Sequence, residues 1–146
     1  MQKKLDVQDC FLCRKHAGLE AKPPGGYIYA DENWMVCHAP PEKGPLGSLF
    51  IESRRHLLDF AEMTGSELHS YGELLGSIYP LLKTALNALR VYSVVLLEGV
   101  PHFHNWLIPH RAEDQERGMK LLMKDLNCDV KDAEALASQL EHQLTK

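Results

Sequence analysis

The chain has 146 residues, which is the length of one ordinary domain. Of these residues, 45% are hydrophobic and 25% are charged, a composition that lets a soluble globular protein bury a core. Its formal net charge of -4 provides no basis for sequence-independent binding of nucleic acid. No stretch approaches a membrane-spanning length and no signal-peptide core begins the chain, so we expect a cytoplasmic protein with one domain over residues 1–146.

Two of the four cysteines, Cys10 and Cys13, form a C-x-x-C pair near the start of the chain. In a reducing compartment such a pair more often binds a metal or does redox chemistry than forms a stable disulfide. The spacing alone leaves three alternatives open: a metal site, a thioredoxin-like redox pair, and two unrelated thiols in a turn. Cys37 and Cys128 stand alone in the sequence, and a buried apolar role is the simpler interpretation for Cys37.

Three short strands are predicted after the cysteine pair. A turn-rich Lys-Pro-Pro-Gly-Gly segment at residues 22–26 separates these strands from the cysteine pair. Residues 27–30 and 34–38 predict a hairpin with a three-residue turn, and residues 48–52 predict a third strand beyond a loop rich in proline and glycine.

A long helix is predicted from Thr64 onward, where Thr64 and Glu67 have the spacing of a capping box. Apolar residues then recur at helical spacing and predict one core-facing stripe. The stripe consists of Leu68, Tyr71, Leu75, Ile78, Leu82, Ala85, Leu86 and Leu89. Pro80 should kink or divide this helix, because proline removes a backbone hydrogen bond and its ring clashes with the preceding turn.

The remainder of the chain predicts two paired strands and terminal helices. Residues 91–97 are β-branched and apolar enough for a buried strand, and residues 102–108 are expected to pair with it. The last helix is expected to follow a cap at Asp129. Its apolar stripe consists of Val130, Ala133, Ala137, Leu140 and Leu144. This order of elements predicts an α+β fold with a mostly antiparallel sheet.

The most informative segment is Pro-His-Phe-His-Asn-Trp-Leu-Ile-Pro at residues 101–109. Side chains alternate between the two faces of a strand. The expected faces are His102, His104 and Trp106 on one side, and Phe103, Asn105 and Leu107 on the other.

Three segments together resemble the histidine triad (HIT) family. Residues 10–13 resemble the amino-terminal knuckle of its zinc-bearing members, residues 47–56 resemble its glycine-to-histidine strand, and residues 102–109 resemble its triad strand. The resemblance covers a core of about residues 10–110 and leaves a helical extension of about residues 111–146. It implies a HIT-like α+β fold, with about five strands, one long helix packed on the sheet and additional carboxy-terminal helices.

The resemblance also implies a metal site. In zinc-bearing members the two cysteines are joined by the histidine that follows the third strand and by the first histidine of the triad. These positions are Cys10, Cys13, His56 and His102 here. Two thiolates and two imidazoles suit a closed tetrahedral zinc site with a structural role.

The family's nucleophile, the middle residue of the triad, corresponds to His104. An isolated histidine would more simply be a hydrogen-bonded polar residue at a sheet surface. The resemblance instead implies attack on the α-phosphorus of a nucleotide, such as a dinucleoside polyphosphate or a nucleoside phosphoramidate, through a nucleotidyl-histidine. It also implies a homodimer.

The sequence departs from the family pattern around this histidine. Trp106 occupies the third triad position and cannot shuttle a proton. The phosphate-contacting segment is shortened to Gly99-Val100-Pro101, and Arg111 is displaced by His110. We expect substrate contacts from Trp106, Asn105, Arg111 and Gly99. Two alternatives stay open: a catalytically weak or inactive, zinc-stabilised nucleotide-binding module, and a thiol-redox protein that uses the cysteine pair.

Overall fold

The computed structural model describes residues 9–144; the ends of the predicted domain, residues 1–8 and 145–146, lie outside the described residues. Five strands form one antiparallel sheet in the order β1-β2-β3-β5-β4. The strands are β1 Tyr27–Ala30, β2 Trp34–His38, β3 Leu49–Ser53, β4 Ala88–Val94 and β5 His104–Arg111. The helices in the described part are α1 Phe11–His16, α2 Gly65–Leu86, α3 Met119–Leu122 and α4 Val130–Leu144. The predicted α+β fold is confirmed.

Helix α2 begins at the predicted capping box. The Thr64 hydroxyl accepts a hydrogen bond from the backbone N–H of Glu67 at 3.1 Å, and the Thr64 N–H donates to the Glu67 carboxylate at 2.8 Å. The helix ends at Asn87, whose φ of 51° is in the left-handed region. Of the two expected effects of Pro80, division of the helix is wrong, since α2 runs through it. Pro80 is exposed, where water can satisfy the carbonyl that loses its partner.

The main core lies between α2 and one face of the sheet. The buried side chains of the helix are Glu67, Tyr71, Leu74, Ile78, Leu82 and Leu86. Two members of the predicted stripe lie elsewhere: Leu68 is 45% exposed, and Leu89 belongs to β4 and is 56% exposed. The stripe is therefore shorter than predicted, because the left-handed residue at Asn87 ends the helix two residues before Leu89.

The last two strands pair as predicted, but each has different bounds. Strand β4 begins at Ala88 rather than Val91 and lies at the edge of the sheet, where most of its residues are at least partly exposed. Strand β5 begins at His104, so His102 lies before it. Pro101 has no N–H, and the His102 N–H donates to the Val100 carbonyl at 2.8 Å, so the sheet ladder starts later than expected.

Helix α4 packs against the β1 side of the core. Asp129 caps it, since its carboxylate accepts a hydrogen bond from the Lys131 N–H at 2.8 Å. The buried residues are Ala133, Leu136, Ala137 and Leu140. Gly25, whose φ is +72°, lies so close to α4 that a Cβ atom at this position would be 3.0 Å from the Glu134 carbonyl oxygen. The 22–26 loop thus fixes the start of α4 beside the sheet.

Replacing Thr64 with alanine removes one half of the capping box. We expect the free energy of unfolding to fall by about 1 kcal/mol, as one helix N–H loses its acceptor. Chemical denaturation measures this change. Thr84→Ala, at an exposed position inside the same helix, is the matched control and should cause no loss. Equal effects of the two substitutions would show that the capping box adds no stability.

Candidate metal centre and active site

Two cysteines and two histidines meet where β3 ends and β5 begins. Cys10 caps α1, and its Sγ accepts a hydrogen bond from the Cys13 N–H at 3.4 Å. His56 follows β3 and His102 precedes β5. Because β3 and β5 are antiparallel, the end of one strand lies beside the start of the other. The possible ligand atoms of the four residues all lie within 4.8 Å of one another.

The distances in this cluster fit a tetrahedral zinc ion. The His102 Nδ1 lies 3.3 Å from the Cys10 Sγ and 3.5 Å from the Cys13 Sγ, and the His56 Nδ1 lies 3.6 Å from the Cys13 Sγ. Zinc bonds of ordinary length place neighbouring sulfur and nitrogen ligands roughly 3.5 Å apart. The predicted ligands are therefore brought together in an arrangement suited to zinc.

Hydrogen bonding prepares His102 to be a ligand. Its Nε2–H donates to the Ser53 carbonyl at 2.6 Å, which leaves Nδ1 as the nitrogen that faces the thiols. Burial lowers the pKa of His102 to about 4, so the imidazole is neutral at neutral pH. Burial also raises the pKa of Cys13 to about 11, with Cys10 adding to the effect. A raised pKa is the opposite of what a redox-active thiol needs.

His104, the predicted nucleophile, begins β5 and faces a pocket of about 740 Å³. Its Nδ1–H donates to the His102 carbonyl at 2.8 Å. This bond assigns the proton to Nδ1 and leaves the Nε2 lone pair available. The pocket that receives His104 is lined by α1, by the 22–26 loop, by the loop after β2 and by the start of α4.

Two predicted substrate contacts on β5 are not among the residues that line this pocket. Asn105 is fully buried on the other face, where its amide donates to the Tyr71 hydroxyl and its carbonyl accepts from the Ser93 hydroxyl at 2.8 Å. Strand alternation explains this position. Trp106 shares the face of His104, but its ring packs against Phe50 with centroids 5.0 Å apart. Phe50 itself lines the pocket.

The structure does not bring the other two predicted contacts to the pocket either. Arg111 ends β5, roughly 23 Å along the strand from His104 at about 3.3 Å per residue. Its Nε donates to the Leu86 carbonyl and pairs with Glu113, both at 3.2 Å. Gly99 lies in the loop between β4 and β5, and its neighbour Val100 lines the pocket instead.

A buried charged cluster beside His104 was missed from the sequence. Glu52 pairs directly with His104 across β3 and β5 and is 0% exposed. Its carboxylate accepts hydrogen bonds from Lys15 Nζ at 2.7 Å and from His16 Nε2 at 3.0 Å. Burial alone would raise the pKa of Glu52, but His16 and Lys15 outweigh it and hold this pKa below its ordinary value. The sequence signal that could have revealed this cluster was Glu52 itself, a charged residue that shares one face of a predicted strand with Phe50.

Solved structures with this fold carry histidine triad names. A zinc-bound histidine triad family protein from Mycobacterium smegmatis has a TM-score of 0.73 and 18% identity, over 96% of this chain and 98% of that chain. A Hit-like protein involved in cell-cycle regulation from Bartonella henselae has a TM-score of 0.72 and 12% identity, over 97% of this chain and 99% of that chain. A hypothetical histidine triad nucleotide-binding protein from Sulfolobus tokodaii has a TM-score of 0.67 and 15% identity, over 90% of this chain and 89% of that chain.

These similarities define the class of fold. The sequence matches no protein-family model and no curated protein. At such low identity the structural agreement establishes that the chain has the fold of histidine triad proteins. The first two alignments span nearly the whole chain, so they reach beyond the residues that carry the resemblance in sequence. Among the described helices, none has the length and apolarity to cross a lipid bilayer.

Glu52→Gln tests the buried cluster through the pH dependence of stability. At neutral pH the substitution leaves the Lys15 ammonium buried without its carboxylate, and we expect a loss on the order of 3 kcal/mol. The folded-state pKa of Glu52 lies below the ordinary 4.5. Its stabilisation is therefore fully present above about pH 4.5 and is lost as pH falls through the folded-state value.

The measurement is urea unfolding of wild type and variant between pH 7 and pH 3. The difference between their free energies of unfolding should shrink on acidification. Glu32→Gln, in the exposed turn between β1 and β2, is the control and should follow the wild type throughout. A difference that stays constant down to pH 3 would contradict the assigned charge of Glu52.

Proposed function

We propose that this protein is a nucleotide hydrolase or transferase that acts at the α-phosphate of a dinucleoside polyphosphate or a nucleoside phosphoramidate. The observation that carries the proposal is the state of His104. Its Nδ1–H is held by the His102 carbonyl, so Nε2 is the unprotonated nitrogen of the neutral ring, and His104 lines a pocket of about 740 Å³, large enough for a nucleotide. One solved structure of the same fold is named a nucleotide-binding protein.

In the proposed reaction the His104 Nε2 lone pair attacks the α-phosphorus. The bond from phosphorus to the leaving group breaks, and the leaving group departs with the bonding electrons and takes up a proton from water. The oxygen of water or of an acceptor hydroxyl then attacks the phosphorus of the nucleotidyl-histidine and gives up its proton to solvent, while the phosphorus–nitrogen bond breaks and its electron pair returns to Nε2. The hydrogen bond to His102 keeps the imidazole in the required tautomer and orientation through both steps.

Zinc has a structural part in this proposal. Cys10, Cys13, His56 and His102 would hold the ion in a closed site, where it has no open position to activate water. His102 then links the two functions, because its Nδ1 would bind the metal while its carbonyl orients His104. A homodimer in the cytoplasm completes the proposal; the exposed edge strand β4 offers a surface for a second copy.

His104→Ala removes the proposed nucleophile. We expect turnover of adenosine or guanosine 5′-phosphoramidate to fall by at least about a thousandfold, because no other described side chain in the pocket offers a free imidazole nitrogen at this position. His69→Ala, on the exposed face of α2, is the matched control and should keep full activity. Nucleotide binding without turnover in the wild type would favour the non-catalytic binding module.

Metal analysis tests the zinc site independently of activity. We expect about one zinc per chain in the purified protein, and Cys13→Ser should lose the metal and lower the melting temperature, because structural zinc contributes directly to folding. Cys128→Ser is the matched control, since this cysteine lies far along the chain and outside the cluster. Zinc retained at wild-type stoichiometry in the Cys13 variant would contradict the assignment.

A further inference from the structure

The three residues directly before His104 offer no backbone N–H to a substrate phosphate. Transfer of a phosphoryl group places negative charge on the equatorial oxygens, and cations or N–H groups must stabilise it. Pro101 has no N–H. The His102 N–H donates to the Val100 carbonyl at 2.8 Å, and the Phe103 N–H donates to the Leu57 carbonyl at 2.7 Å. All three positions are therefore excluded as donors in this conformation.

The third triad position does not supply the missing donor either. The Trp106 indole packs on Phe50, and its Nε1 is buried with no hydrogen-bond partner among the described residues. Trp106 does not line the pocket that His104 faces. A phosphate bound at His104 must therefore find its countercharge elsewhere.

Lys15, Lys22 and Lys43 all line the pocket, and Lys15 is the one whose position is tied to His104 through Glu52. It lines the same pocket from α1, and its ammonium donates to Glu52, the direct cross-strand partner of His104. Lys15 Nζ also lies 5.7 Å from the centroid of the Phe50 ring, which in turn lies 5.9 Å from the centroid of the His104 ring. Glu52 and His104 are direct cross-strand partners, and the Cβ atoms of such a pair lie about 5 Å apart, so the two side chains start from neighbouring positions on the same face of the sheet.

The hydrogen bonding of Lys15 leaves room for a ligand. An ammonium has three donors, and two are used by Glu52 Oε2 at 2.7 Å and Cys37 Sγ at 3.2 Å. No acceptor for the third is found among the described residues. The Lys15 side chain is 10% exposed, so the ammonium is largely dry while it still borders the pocket. In such surroundings a charge-assisted bond to phosphate is stronger than in water.

The cost of this arrangement argues for a functional role. A buried ion pair is often no more stabilising than apolar residues of the same volume, so stability alone does not account for Lys15 and Glu52 on this face of the sheet. Glu52 is also shared with His16, which spreads its hydrogen-bonding capacity over two partners. The Glu52 carboxylate therefore holds Lys15 in place without occupying all three N–H donors of the lysine ammonium.

We propose that Lys15 binds a phosphate group of the substrate next to His104, and that Glu52 is the positioning residue that holds the ammonium there. This inference rests on the proposed function, because it assigns a phosphate-binding residue to the same pocket. It gives the pocket the countercharge that the segment before His104 and the third triad position do not provide.

The test compares a nucleotide with the nucleoside that lacks its phosphate. Calorimetry would measure the affinities of wild type and variants for adenosine monophosphate and adenosine, and then for the guanosine pair. The variants are Lys15→Met and the double variant Lys15→Met/Glu52→Gln, in which no buried carboxylate is left unpaired. Lys83→Met, at an exposed position on α2, is the matched control. Zinc content of each variant would show that α1 keeps its place.

Both Lys15 variants should lose roughly tenfold or more in affinity for the monophosphate, the loss expected for one charge-assisted hydrogen bond, and bind the nucleoside as wild type does. The Lys83 variant should match the wild type for both ligands. Equal losses for nucleotide and nucleoside, or no loss at all, would overturn the inference.

The outcomes also separate this inference from the proposed function. A wild type that turns over the phosphoramidate, with Lys15 variants that keep its kcat/KM and phosphate preference, would overturn the role of Lys15 alone. A wild type that neither turns over the phosphoramidate nor prefers the monophosphate to the nucleoside would overturn both.

Discussion

The antiparallel pairing of β3 with β5 is the constraint on which both the candidate metal centre and the pocket depend. It sets Glu52 opposite His104 and Phe50 opposite Trp106, so one face of these two strands carries the residues of the candidate site. The other face carries Ile51 and Asn105, which are fully buried against the main core. A shift of one residue in this register would turn His104 into the core and bring Asn105 to the pocket.

The same pairing joins the two halves of the proposed zinc site. His56 lies three residues after the end of β3 and His102 two residues before the start of β5, and helix α1 closes over them with Cys10 and Cys13. Five residues further along the chain from Cys10, the same helix brings Lys15 and then His16 to Glu52. Helix α1 has only six residues and is fixed to the sheet at both ends. One wall of the pocket is thus held by the metal ligands and by a buried ion pair.

Local patterns predicted much of this structure, and long-range geometry accounts for the rest. The capping box at Thr64, the first hairpin and the pairing of the last two strands followed from patterns within a few residues. The end of α2 depended on a left-handed Asn87, and the late start of β5 depended on the His102 N–H turning to Val100. Asparagine is common in the left-handed position after a helix and proline has no N–H to donate, but neither signal fixes the exact residue at which the element ends or begins.

The residues of the candidate site also divide into those that the sequence predicted and those that depend on long-range geometry. The four proposed zinc ligands were named because the resemblance linked distant positions, and the structure brings them together. Asn105 was assigned to the substrate although strand alternation had placed it on the face opposite His104, and Arg111 was assigned without knowledge of strand length; the structure places both away from the pocket. Lys15 and Glu52 are separated by 36 intervening residues and meet only because α1 packs on β3, so no local pattern could pair them.

The central claim is that the nucleotide passes through a covalent bond to His104, and the stereochemical course at phosphorus tests it most directly. Each in-line displacement inverts the configuration, so two successive displacements give net retention. With a phosphorothioate analogue of the phosphoramidate, chiral at the α-phosphorus, hydrolysed in oxygen-18 water, we predict retention. Net inversion would show a single direct attack by water and would contradict the account.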